Sequence, residues 1–252
     1  MKKICTLFLL VAIIGYPVFS QEVNPEPAKK KARLSLDFSG AYSIPVGKYK
    51  AVDHDQEHSG YAAGGFLAQV RLNWMGRKNI GLGISYAFQM NNLQDTAKHV
   101  TPSGTDTSFV LGTDPWMNHY VLAGPVFQKE FGRWVLDVAV LGGFIISQSS
   151  NFTMTVPLDS MSYRLSEGAG TGIAVQGKIS AGYRISNRVM LTAGFSYLGG
   201  TPVRKKENYI FAGYVEDPPG SNYYTPVFQG YEEIRKKPVS TINAGIGIIV
   251  KL

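Results

Sequence analysis

Apolar and polar positions alternate through the last twelve residues of the chain. Ile242, Ala244, Ile246, Ile248, Val250 and Leu252 fall on one face of an extended segment. Thr241, Asn243, Gly245, Gly247 and Lys251 fall on the other, with Ile249 the one break. A period of two belongs to a strand with one apolar face and one small or polar face.

Seven earlier stretches repeat the pattern. Residues 33–42 set Leu34, Leu36, Phe38 and Tyr42 against Ser35, Asp37, Ser39 and Ala41. Residues 61–74 set Phe66, Ala68, Val70, Leu72 and Trp74 against Gln69, Arg71 and Asn73. Residues 80–91 alternate cleanly, from Ile80, Leu82 and Ile84 to Met90. Residues 116–128 leave the register open, because Val121 and Phe127 sit opposite Tyr120, Leu122 and Val126. Residues 134–147, 172–185 and 189–198 complete the series, and the closing strand begins near Val239. Each stretch reaches the roughly 9 to 11 residues that a tilted membrane strand needs.

The connections alternate in length. Residues 75–79, 129–133 and 186–188 read as tight turns. Residues 43–60, 92–115, 148–171 and 199–238 read as long polar loops. The pattern predicts an all-β fold, an eight-stranded antiparallel up-and-down transmembrane β-barrel with long extracellular loops and short periplasmic turns. An even strand count puts both ends of the barrel on the short-turn side. Aromatic residues mark the two interfaces: Trp74, Trp134 and Tyr183 at short-turn ends, and Tyr42, Phe88, Trp116, Phe144 and Tyr197 near long-loop ends. A secreted soluble barrel fits less well, because the face opposite the apolar one is Gly, Ser, Ala, Asn and Gln with few charges. Small side chains suit the cramped interior of an eight-stranded cylinder.

The beginning of the chain agrees. Lys2-Lys3 precedes an apolar core from Ile4 to Phe19, and Ser20 is a small residue before Gln21. Residues 1–20 read as a cleaved signal peptide, 21–32 as a periplasmic entry segment and 33–252 as the outer-membrane barrel. Cys5 sits too early for a lipoprotein signal and, as the only cysteine, leaves with it. Of the 25 basic side chains, Lys2 and Lys3 go too, leaving 23 against 18 acidic. So mild an excess argues against nucleic acid as a partner.

Chemistry on the inward face is sparse. Asp37, Arg71, Asp137, Lys178 and Arg184 are the ionisable candidates within the strands, with Lys251 at the end. Strand direction places Asp37 with Arg71, and Asp137 with Arg184, near the short-turn end. These read as structural ion pairs that plug the lumen, with a gated or proton-relay path as the alternative. Asp53, His54 and His58 share a polar loop and read as a solvated tip rather than a metal site. His119 is the one histidine expected on a strand, and no motif joins it to Ser147 or Ser196 as base to nucleophile. The glycine pairs lack the strand-to-helix context of a nucleotide loop, and Asn151-Phe-Thr153 reads as a chance sequon. No catalytic, cofactor or metal residue is assigned. The final long loop is richer: Tyr209, Phe211, Tyr214, Tyr223 and Tyr224 interleave with Arg204, Lys205 and Lys206. Aromatic and basic side chains together suit sugar, lipid A phosphate or protein contact. Equally, residues 209–215 read as an extension of the barrel's sheet.

Residues 39–49, Ser-Gly-Ala-Tyr-Ser-Ile-Pro-Val-Gly-Lys-Tyr, residues 121–127, Val-Leu-Ala-Gly-Pro-Val-Phe, and the glycine-spaced last strand carry a family resemblance. The chain resembles the small outer-membrane β-barrel proteins of Gram-negative bacteria, in particular the PorT-like group. That resemblance implies an integral outer-membrane location, with outer-membrane lipid, lipopolysaccharide and the barrel-assembly machinery as partners and an envelope protein as a further one. The chain departs from the pattern at Leu252, where such barrels often end in an aromatic. The function expected is a monomeric, non-enzymatic barrel with an envelope-structural or surface-binding role. An accessory subunit of a secretion or transport machine comes next, then a small passive channel or a lipid-modifying enzyme.

Overall fold

The structure, a computed structural model, describes residues 33–51, 60–76, 79–94, 96–100, 106–110, 115–148, 152–156, 161–167, 169–200, 203–216 and 224–252. The expected signal peptide (1–20) and entry segment (21–32) lie outside the described residues.

Among the described residues fourteen strands follow one another: β1 Arg33–Pro45, β2 Ala62–Met75, β3 Ile80–Leu93, β4 Thr96–Val100, β5 Asp106–Val110, β6 Trp116–Phe131 and β7 Trp134–Gln148, then β8 Phe152–Val156, β9 Met161–Glu167, β10 Ala169–Arg184, β11 Val189–Gly200, β12 Val203–Glu216, β13 Tyr224–Lys237 and β14 Ser240–Lys251. Eight of them close a barrel in the order β1-β2-β3-β6-β7-β10-β11-β14, with β14 pairing back onto β1. All its pairings are antiparallel. Closure leaves the barrel without a free edge, so its backbone groups pair within the wall as lipid requires.

The period of two decides which side chains meet lipid. On β3 the exposed set is Ile80, Leu82, Ile84 and Tyr86, while Ser85, Ala87 and Gln89 are buried inside. Ile84 is 60% exposed, Phe195 63% and Ile246 73%, a band that water would not tolerate over so large an area. Ile249, the break in the last strand, points inward and packs with Val135 and Met190.

The register left open in the fourth barrel strand is now settled. Trp116, Asn118, Tyr120, Leu122 and Val126 of β6 are buried inside, and Val121 is exposed outside. This corrects one expectation, because Trp116 belongs to the interior and not to the aromatic ring at the membrane surface. It lies edge-to-face on Tyr49, with centroids 5.5 Å apart.

The turn between β6 and β7 is tighter than the expected stretch 129–133, because β6 runs on to Phe131. Phe131 pairs with Trp134 across the two-residue loop Gly132-Arg133, and Gly132 has φ +63, as a type II′ turn demands at its first central position. At the other rim the long connections differ from the expected polar loops. Six strands, β4, β5, β8, β9, β12 and β13, continue the sheet beyond the barrel. β12 joins β10 at Thr171↔Arg204 and also pairs with β9 and β13. The extension reading of residues 209–215 therefore holds for the backbone. His99 lies in β4, so His119 is not the only strand histidine.

The lumen and its two rims as candidate functional sites

Buried side chains line the lumen in successive layers. Inside the barrel Arg71 of β2 donates to Asp37 Oδ2 of β1 at 2.9 Å and to Asp137 Oδ1 of β7 at 2.6 Å. Lys178 of β10 donates to the same Asp37 oxygen at 2.9 Å and to Ser39 at 3.1 Å. Arg71 is fully buried and Asp37 and Asp137 nearly so. Two cations and two carboxylates thus neutralise each other while tying four strands together across the barrel. Such a set is tolerated in a buried interior because each charge has an opposite one within hydrogen-bond reach.

Arg184 departs from its expected place. Asp137 takes Arg71 from across the lumen, and Arg184 instead pairs with Glu130 of β6 at the mouth on the short-turn side. Glu130 also accepts from Lys251 at 2.8 Å and lies 3.7 Å from Arg33. β14, which carries Lys251, stands halfway round the barrel from β6, so this carboxylate spans the opening. Alternation alone could not foresee this, because Glu130 falls in a stretch that reads as a turn.

Amides and hydroxyls fill the next level. Gln69 donates to Ser85 at 2.7 Å and across the lumen to Gln176 at 2.8 Å. Beyond them Gln89 donates to Ser43 at 2.6 Å and Thr241 at 3.0 Å, and accepts from the Tyr120 hydroxyl at 2.6 Å. Leu122, Leu141, Ile145 and Leu198 are buried at the long-loop half, so the interior is more apolar than its sequence face promised. A 3-10 turn, Gly47–Tyr49, then tucks Tyr49 into the top. Asn118 Nδ2 donates to its hydroxyl at 3.2 Å. Burial pushes the Tyr49 phenol up, with the Asn118 bond opposing it weakly, so the group stays a neutral hydroxyl. Trp116 Nε1 caps the layer by donating to the Gly60 carbonyl at 2.9 Å. A Cβ on Gly60 would fall 2.5 Å from the Tyr49 carbonyl oxygen, so only glycine lets the returning chain approach this closely. A cavity of about 30 Å³ remains beside Lys178, Ser180, Ser196 and Asn243, room for about one water.

The candidate base and nucleophiles are separated by the wall. His119 shares the outer set of β6, where Tyr86 lies 2.8 Å from its Nδ1 and Phe88 packs with centroids 5.1 Å apart. Ser147 and Ser196 are buried on the lumen side. Asp53, His54, His58, Asn151 and Tyr223 lie outside the described residues. Arg204, Lys205, Lys206, Tyr209, Phe211 and Tyr214 all fall on β12, and Tyr224 opens β13. Their backbone register sets Arg204 opposite Lys236, Lys205 opposite Arg235 and Tyr209 opposite Tyr231.

The sequence matches no protein-family model and no curated protein. Solved structures similar in fold include Neisserial surface protein A, at 11% identity, covering 88% of this chain and 97% of that one with a TM-score of 0.39. A major outer membrane protein from Thermus thermophilus shows 10% identity, coverage of 88% and 100%, and a TM-score of 0.47. The outer membrane protease OmpT from Escherichia coli shows 8% identity, coverage of 90% and 99%, and a TM-score of 0.47. From the molecule's own architecture, a closed antiparallel barrel with an apolar outer band and a buried polar interior, the chain is a transmembrane β-barrel protein.

Proposed function

We propose that the protein is a non-enzymatic, non-conducting barrel whose function is surface binding, carried by the sheet that rises beyond the long-loop rim. The register of the β12–β13 hairpin carries this reading. Arg204 faces Lys236 and Lys205 faces Arg235 across the ladder. Four basic residues thus come together in the register of this hairpin, a composition that suits an anionic ligand. Tyr209 and Phe211 lie further along the same strand, and the combination suits a phosphorylated glycolipid such as lipopolysaccharide. The layered lumen supports the absence of conductance, and the wall between His119 and the lumen serines supports the absence of hydrolysis.

The test is binding to vesicles with and without lipopolysaccharide. Changing Lys205 and Arg235 together to Gln should weaken binding to the lipopolysaccharide vesicles at least tenfold while leaving the barrel folded. Unchanged binding would sink the surface-binding assignment. A steady ion-selective current from the wild-type protein in a planar bilayer would replace the closed lumen with a channel.

A second reading, an accessory subunit of a secretion or transport machine as in the PorT-like group, draws on the sheet's edges. Among the described residues, β4 pairs only with β5 and β13 only with β12. An open strand edge accepts an extended segment of another protein.

A further inference from the structure

At the short-turn rim the β6–β7 hairpin carries side chains that the lumen does not use. Lys129 is in the outward phase of β6, between inward Gln128 and Glu130, and its Nζ stands 5.0 Å from the Phe131 ring centroid. Across the turn, Arg133 Nη1 donates to the Tyr183 hydroxyl at 3.3 Å. Tyr183 meets Trp134 edge-to-face, with centroids 5.2 Å apart. Phe131 is 54% exposed and Trp134 59%. Lys129 thus stands over the Phe131 ring and Arg133 bonds the Tyr183 hydroxyl, with Trp134 packed on Tyr183, on the outer wall where hydrocarbon gives way to headgroups.

Charge at this rim is one-sided. Glu130 is the one acidic side chain among its described residues, and it is taken up by Lys251, Arg184 and Arg33 in the mouth. Among the described residues no carboxylate pairs with Lys129 or Arg133. We infer that this hairpin binds the phosphate of an anionic phospholipid in the leaflet at the short-turn rim. The Arg133 guanidinium presents a planar fork that suits a phosphate, and Lys129 adds a point charge. Phe131, Trp134 and Tyr183 then border the glycerol and upper acyl segments. The rings favour lipid over an acidic protein partner, because they stand in the membrane-facing wall beside the cations.

The experiment uses the full barrel in phosphatidylcholine bilayers containing a minor fraction of brominated lipid, either phosphatidylglycerol or phosphatidylcholine. Quenching of Trp134 is taken as the difference between the wild type and Trp134→Phe. Brominated phosphatidylglycerol should quench Trp134 well beyond its mole fraction, and brominated phosphatidylcholine should not. Lys129→Gln and Arg133→Gln should each lower that preference, by about fivefold per charge removed, while Arg188→Gln on another turn leaves it intact. Raising salt on the unmutated protein should lower it as well, which keeps the test independent of any variant's folding. Equal quenching by the two lipids, or a preference that survives Lys129→Gln with Arg133→Gln, overturns the site.

Discussion

The outer and inner faces of the wall are made by the same strands, yet they obey different rules. Outside, most residues answer chiefly to lipid: Leu82, Ile84 and Val70 need only be apolar at their depth. Inside, the polar residues answer to partners on other strands, some of them across the lumen. Arg71 satisfies Asp37 next door and Asp137 across the lumen, while Lys178 reaches Asp37 from the far side. The outer face is therefore additive and tolerant, and the inner one is a set of mutual dependencies.

The largest effect should come from breaking the inner set. Arg71→Ala leaves Asp137 without its cation and Asp37 with Lys178 alone, and removing one member of a buried pair costs about 3 to 5 kcal/mol. Denaturant unfolding in lipid or detergent would read it. The choice of second substitution sharpens the point. Arg71→Ala with Asp137→Ala leaves Lys178 and Asp37 as a complete pair, so the double loss should fall short of the summed singles by about 1 to 3 kcal/mol. Arg71→Ala with Asp37→Ala instead strands Lys178 and Asp137 apart and should recover less. Additive singles in both cycles would refute the coupling.

An outer-face change should cost somewhat less and depend on depth. Ile84 pairs with Leu72 and Ala123 near mid-strand. Ile84→Arg at that level should destabilise the barrel in lipid by about 2 to 4 kcal/mol. The same change at Ile80, near the short-turn rim, should cost about 1 kcal/mol or less. Equal costs at the two depths would mean that the wall does not span the bilayer as described.

This contrast also explains how much the sequence disclosed. Alternation is local, so the lipid-facing sets of β3, β7 and β14 were readable residue by residue, and Asp37 and Arg71 fell together because their strands are neighbours. Asp137 and Arg184 were paired from similar heights, but which cation fills a lumen depends on reach across the closed barrel, which no neighbouring residues encode. Strand-end position is the cue the sequence offers for Trp116, and it points to the surface aromatics. Its true partner, Tyr49, arrives from a connection that reads as polar loop. Of the outer sheet only part of β12, residues 209–215, is legible in the sequence, and its pairing with β9, β10 and β13 is what reveals it as sheet.

Glu130 gives the smallest effect and the finest distinction between faces, because it is inward in phase but wet. Its side chain is 32% exposed, with Lys251 at 2.8 Å and Arg33 at 3.7 Å. Water and salt screen such contacts, so Glu130→Gln should cost about 1 kcal/mol or less. Magnitude is therefore a poor discriminator, and salt is a better one. In the unmutated protein, added salt weakens the attraction between Glu130 and its cations, so this mouth loses stability as salt rises. Glu130→Gln leaves Arg33, Arg184 and Lys251 converging without an anion, and salt then screens their repulsion. Stability contributed by the mouth should rise with salt in the variant and fall with it in the wild type. Unfolding midpoints at low and high ionic strength would show the reversal, and parallel salt dependences would mean that Glu130 does not hold the mouth together.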